Sequence, residues 1–257
     1  MAIVDAPAAI HWLDTELPNL AAAVHQASAE AHPASWLLAD ALCGYSWMRK
    51  LAVDWSALGN AALTAARTAG KPDAEAAVQN LLGNVALQHG GHNVAIAHFE
   101  RLLTLADAAD WPEAAATAHT NLSVATRFTG QLRRSATHLE RAMGIDRRNG
   151  LPDGHPVVLG ILGNVLRDLG RLSESLECLQ RAEHLRPDLD SQHNRMHRQA
   201  NLGRTRYLLG DRERAAVHWD CALAMARESR DLGSEAYVLR LQASDHRDTG
   251  DLPAPWS

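Results

Sequence analysis

Histidine and cysteine recur in this 257-residue chain at a spacing that invites a metal reading. His98, His138, Cys178 and His218 stand 40 residues apart, and His193 and His197 lie one helical turn apart in "HNRMH". A metal needs its ligand atoms about 2.0–2.3 Å from one centre. Equivalent side chains of stacked repeats run side by side on helices about 8–10 Å apart, so the ladder is expected to be consensus surface or rim. His193 and His197 share a helix face, but Arg195 and Arg198 oppose a cation there and no carboxylate base sits inside the pair. They read as a solvated face. "AGKP" at 69–72 has the Gly-Lys of a phosphate loop, yet Pro72 stands where Ser or Thr would coordinate Mg²⁺, and Ala65 replaces the leading Gly. There is no GxSxG elbow, HExxH helix or CxxC pair. Without a nucleophile–base constellation the chain is expected to be non-catalytic, with neither metal nor cofactor. An enzyme using a solenoid cavity is the least favoured reading.

A second set of residues suits recognition. In a 40-residue register stand Asn84, Val124, Asn164, Arg204 and Ser244, and three positions on come Leu87, Arg127, Arg167, Tyr207 and Arg247. Arg240 and His197 fall one turn earlier in their segments. A guanidinium can hold a carboxylate or phosphate through two parallel bonds, and an Asn amide can meet a peptide backbone as donor and acceptor. The candidate ligand residues are therefore Asn84, Arg127, Asn164, Arg167, Arg204, Tyr207, Arg240 and Arg247, matched to an extended peptide or an acidic segment. The alternative is a solvated face on which the arginines pair with Asp168, Asp248 and other local acids.

The elements that must position these residues are given by one period. Gly90, Gly130, Gly170, Gly210 and Gly250 are 40 residues apart without drift. Eight residues earlier lie Leu82, Leu122, Leu162 and Leu202, each followed by a small residue, Gly83, Ser123, Gly163 or Gly203. After each glycine come Ala95, Ser135, Ser175 and Ala215, then Phe99, Leu139, Leu179 and Trp219, then Leu102, Ala142, Ala182 and Leu223 or its neighbour Ala222. A fixed period of this length marks a repeat architecture. Each unit reads as helix, tight turn at Gly, helix, then a longer connection. The turn glycine supplies the positive φ that stops the first helix. The small residue lets two helix backbones approach, and the large apolar residue fills the gap to the next repeat. Pro112 and Pro156 suit helix starts, Ser234 an N-cap, and Pro187 a helix end.

These phrases resemble the tetratricopeptide repeat (TPR), whose usual unit is 34 residues; the six extra are expected mostly in the connection. The resemblance implies an all-α, TPR-like right-handed solenoid of helical hairpins, with the ligand on the face lined by first helices, and at the level of residue type it extends to TPR carboxylate clamps. "LLGNVALQHG", "LGNVLRDLGRLSESLECLQRA" and the lead-in "WLDTELPNLAAAVHQA" further resemble the C-terminal TPR region of actinobacterial SARP-type, AfsR-like regulators. That likeness implies a cytoplasmic interaction or sensor module of a bacterial transcriptional regulator, one controlling antibiotic biosynthesis, beside an NB-ARC ATPase domain and a DNA-binding domain. A stand-alone TPR adaptor or peptide receptor is the alternative. The expected division is a helical cap over 1–34 and repeats over 35–257 (about 35–74, 75–114, 115–154, 155–194, 195–233 and a partial 234–257).

Composition agrees with close helix packing: 46% of residues are hydrophobic but 5% aromatic. The net charge of −5, with no block of like charge, argues against direct nucleic-acid binding. Three cysteines far apart do not form a disulfide framework. No apolar run approaches the ~20 residues of a membrane span, and the N-terminus lacks the pattern of a signal peptide. At the N-terminal end Lys50 replaces the turn glycine, and Trp36, Trp47 and Trp55 are expected to fill a capping core, or else to form a docking patch. At the other end Pro253 and Pro255 would prevent a partner for the last helix. A fragment of a longer array is expected, or an end that contacts another copy.

Overall fold

A computed structural model describes residues 6–48, 53–150, 155–185, 191–229 and 232–249. The side chains of Ala6, Pro7, Trp47, Met48 and residues 244–249 also lie outside the described set. The chain divides into two compact units, Met1–Ile145 and Asp146–Ser257. Every element among the described residues is helical.

In the first unit α1 (Ala6–Ala29), α2 (Ala34–Ala41), α3 (Cys43–Met48) and α4 (Trp55–Thr68) precede the regular hairpins α5 (Pro72–Gln88)/α6 (His92–Ala108) and α7 (Pro112–Phe128)/α8 (Leu132–Arg148). The second unit holds α9 (Pro156–Asp168)/α10 (Leu172–His184), α11 (Gln192–Leu208)/α12 (Arg212–Glu228) and α13 (Leu232–Thr249). The partners α5/α6, α9/α10 and α11/α12 pack against each other, and first helices touch the next first helix in their unit, α5 on α7, α9 on α11 and α11 on α13.

The 40-residue unit departs from the expectation in part of the chain. In the α5–α8 region every helix has 17 residues and every connection is short, residues 89–91, 109–111 and 129–131. There the added length lies in the helices; α9 and α10 have 13 residues each, and the longer connections expected stand on either side of them, between Arg148 and Pro156 and between His184 and Gln192. Both kinds of turn use positive φ: Gly90, Gly130, Gly170 and Gly210 leave the first helices at +76° to +84°, while Gly70, Asp110 and Gly150 leave the second helices. Nothing lies within 4 Å of a Cβ built on Gly90, so Gly90→Ala carries only backbone strain. It is expected to cost about 1 kcal/mol in chemical denaturation.

The small residue of each first helix seats the large residue of its own second helix. A Cβ on Gly83 would strike the Phe99 ring, one on Gly163 would lie 2.7 Å from Leu179 Cγ, and one on Gly203 2.5 Å from Trp219 Cδ1. Phe99, Leu139, Leu179 and Trp219 are all buried. Phe99, Leu179 and Trp219 close their own hairpins, and Phe99 and Trp219 also share a core with the first helix of the next repeat, with Ala118 and Leu122 of α7 and with Val238 and Leu241 of α13. Ala95, Ser135, Ser175 and Ala215 sit fully buried one turn earlier; Ser135 Oγ donates to the Ser123 carbonyl at 2.8 Å, tying α8 to α7.

Pro72, Pro112 and Pro156 each open a helix, so "AGKP" is a turn glycine followed by a helix start. Ser234 is the third residue of α13 and buried, not its N-cap. Trp36 and Trp55 are buried with Leu17, Val24, Leu58 and Leu81 in one core joining α1, α2, α4 and α5, and so fill it. Lys50, Pro187, Gly250, Pro253 and Pro255 lie outside the described residues.

Candidate binding faces of the first helices

The histidines of the ladder do not form a bare rim. Each histidine of the second helix meets the residue 19 positions earlier, on the first helix of the same hairpin. Gln79 Oε1 lies 2.6 Å from His98 Nδ1, and Gln199 Oε1 lies 2.7 Å from His218 Nδ1. In the middle hairpin the glutamine is replaced, and His119 Nδ1 lies 3.1 Å from His138 Nδ1. Among the described residues no group of three or more His, Cys, Asp or Glu is placed to hold a metal. His193 and His197 do share a face, with rings 4.4 Å apart edge-to-face, and His197 also lies 5.6 Å from the Tyr237 ring.

In the first unit, amides of α5 and α7 pair with one another and with α3. Asn121 Nδ2 donates to Asn80 Oδ1 at 2.8 Å, linking α7 to α5. Asn84 is buried and its Nδ2 points at Cys43 Sγ, 3.5 Å away, with Asn80 Nδ2 at 3.9 Å. Burial pushes the Cys43 thiol pKa up, so the sulfur stays protonated and accepts as a weak neutral partner. Arg127 is half-buried, its guanidinium 5.6 Å from the Phe128 ring. Phe128 is 56% exposed and stacks within 8° of parallel on His92 at 5.0 Å.

The second unit's face is cationic. Arg167 is buried, and its Nη1 donates to Asn164 Oδ1 at 2.9 Å and to Asn201 Oδ1 at 3.0 Å. Its Nε lies 3.6 Å from Asp168 Oδ1. Asn201 Nδ2 donates in turn to the His197 carbonyl. One turn beyond Asn201, Arg204 is half-buried, with no hydrogen bond or ion pair to any described residue. Tyr207 lies 5.8 Å from the Trp219 ring and 5.7 Å from the Arg212 guanidinium. Arg240 is exposed, 5.7 Å from the Tyr237 ring.

Of the eight expected ligand residues, Tyr207 and Arg240 make the ring contacts given above, and the other six fall into three groups. Asn164, Arg167 and the unanticipated Asn201 form one network, with Arg204 a turn away. Asn84 and Arg127 belong to the other unit, where Asn84 is engaged internally by Cys43. The Arg247 side chain, like those of Ser244 and Asp248, lies outside the described residues. Asn80, Asn121 and Asn201 were missed, although Asn121 and Asn201 stand 80 residues apart in one register.

Chemically, Arg204 offers a half-buried cation with no counter-charge among the described residues, and Arg167 is a cation locked in place by two amides. The face can accept an anionic group; among the described residues it holds no arrangement that would activate a nucleophile.

Stacked antiparallel hairpins with a small-residue seam and a repeated left-handed turn place both units in the TPR-like class of folds. Solved structures agree on the fold. The Rap conjugation gene regulator of plasmid pLS20, in complex with the Phr* peptide, superposes with a TM-score of 0.68 at 17% identity, over 82% of this chain and 57% of that one. BtubC (BKLC) from P. vanneervenii gives 0.61 at 19% identity over 84% and 92% of the two chains. The apo form of RapI gives 0.59 at 11% identity over 90% and 67%. This chain therefore spans little more than half of the plasmid Rap regulator. No protein-family model and no curated protein matches the sequence.

Proposed function

We propose that the chain is a non-catalytic TPR-like interaction module that holds an acidic, extended peptide segment of a protein partner against its first helices. One observation carries this reading: Arg204 is half-buried on α11 with no partner among the described residues, in a chain of net charge −5. A half-buried guanidinium whose donors are not taken by neighbouring side chains can give charge-assisted bonds to an incoming carboxylate. Arg167, fixed by Asn164 and Asn201, supplies a second positive centre on the same face. The plasmid Rap regulator, similar in fold, is itself a peptide complex.

The wider setting we propose is a cytoplasmic bacterial transcriptional regulator of the AfsR-like kind, in which this module senses a partner for an ATPase and a DNA-binding domain. The likeness of "WLDTELPNLAAAVHQA" and the 40-residue units to that family supports it. Within this reading residues 1–34 cap the repeats, and Arg127, Tyr207, Arg240 and Arg247 extend the binding surface. A peptide array of acidic, neutral and basic sequences, probed with wild type and with Arg204→Ala, tests the proposal. Preferential capture of acidic sequences that is lost in the variant is expected; equal capture of all three sets would overturn it.

A further inference from the structure

Among the described residues, three histidines of second helices cross a hairpin seam, and one of them faces another histidine. The chemistry of the two arrangements differs. A glutamine Oε1 accepts from a histidine Nδ1–H whether that ring is neutral or protonated, so the Gln79–His98 and Gln199–His218 bonds do not themselves break on protonation, although burial lowers the pKa of both histidines. The His119–His138 bond does not have that freedom. At 3.1 Å between Nδ1 atoms, one ring must donate and the other must accept through an unprotonated nitrogen. A proton added to the accepting nitrogen leaves two N–H groups facing each other. A proton on His138 Nε2 places a charged N–H where the structure offers no acceptor, since that atom is buried without a hydrogen-bond partner. A proton on His119 Nε2 adds a cation beside Arg141.

The surroundings reinforce the asymmetry. From α8, Arg134 and Arg141 face the pair; from α6, the acid Asp107 acts on His119, while Glu100 is engaged by Arg134 at 2.6 Å. Both imidazoles are buried, their rings 5.3 Å apart.

We propose that the His119–His138 pair is an acid-sensitive latch of the α7/α8 hairpin: it holds the two helices together near neutral pH and opens when the pair is forced to take up a further proton. The inference is independent of the peptide-binding reading. Desolvation, then the neighbouring His119, Arg134 and Arg141 charges, push the His138 pKa down from 6.5 to about 4, and burial lowers that of His119 as well. The sign follows from linkage. The unfolded or opened hairpin binds protons below about 6.5 while the closed one does not, so the latch's contribution is complete above that pH and is lost as pH falls from 6.5 toward 4.

The test is amide hydrogen exchange on the full chain at pH 7.5 and pH 5, corrected for the intrinsic pH dependence of exchange. In wild type, amides of α7 and α8 are expected to lose at least tenfold more protection than those of α5 and α6. His119→Gln recreates the pairing of the neighbouring hairpins and is expected to abolish that difference. Should His119→Gln be unfolded at pH 7.5, His138→Gln leaves His119 facing a glutamine across the same seam and serves the same purpose. Uniform loss across both hairpins in wild type, or an undiminished difference in the glutamine variant, would overturn the proposal.

Discussion

Gly203→Ser is expected to destabilise the second unit by about 1–3 kcal/mol, and adding Trp219→Leu is expected to recover most of that loss. The Trp219 ring is buried on Gly203, and its Nε1 donates to the Ala200 carbonyl at 3.2 Å. A Cβ on residue 203 would also stand 3.0 Å from the Ala215 backbone oxygen. Neither neighbour can retreat without breaking a bond or opening the seam. The middle hairpin shows the accommodation: there the small residue is Ser123 and the large one Leu139, both buried in the same registers. The double variant transplants that solution. Trp219→Ala, by contrast, leaves a cavity, and should cost about 3–5 kcal/mol. Urea denaturation followed by far-ultraviolet dichroism measures all three together with the Trp219→Leu single variant; additive loss in the double variant would show that the seam does not work as described.

The second large effect separates binding from folding. Arg167 and Arg204 lie on the same face but differ in their bonds. Arg167→Ala removes the donor that satisfies both Asn164 and Asn201, leaving acceptors unpaired at a loss of about 1–3 kcal/mol of stability. Arg204→Ala breaks no bond to a described residue, so its effect on stability should stay within about 0.5 kcal/mol. Its effect on an acidic peptide should be at least tenfold in Kd, about 1.4 kcal/mol, and should shrink as salt rises. The pair therefore gives distinct signatures: one variant is weakened in fold and binding, the other in binding alone.

Much of this was legible in the sequence because repetition multiplies weak signals. One glycine is a poor turn marker, but five at 40-residue intervals set the frame, and Leu82, Gly83 and their equivalents supplied the helix register. What repetition could not reveal was how the period is divided. Seventeen-residue helices with three-residue turns and shorter helices with a long connection have the same repeat length, and only helix-start prolines such as Pro72 and Pro112 tell them apart. The candidate face was legible in part. Arg167 and Arg204 stood out as cations in register, whereas the partner of Asn84 is Cys43, a residue of the irregular α3 that no period predicts. The histidine ladder was visible but its meaning was not. The distance that matters is the 19-residue step across a hairpin, and at that step Gln79, His119 and Gln199 look like ordinary polar residues of an amphipathic helix. Ser234 failed as a cap because α13 begins two residues before it.

The most direct test of the central claim, that the first helices present a cationic face to an acidic segment, is fluorescence anisotropy of the best acidic peptide from the array against three proteins. These are wild type, Arg204→Ala, and Arg133→Ala, which removes the same charge from an exposed position on the second helix α8. The account predicts at least a tenfold rise in Kd, about 1.4 kcal/mol, for Arg204→Ala and a wild-type value for Arg133→Ala. Equal affinities for all three proteins, or equal weakening by both substitutions, would contradict it.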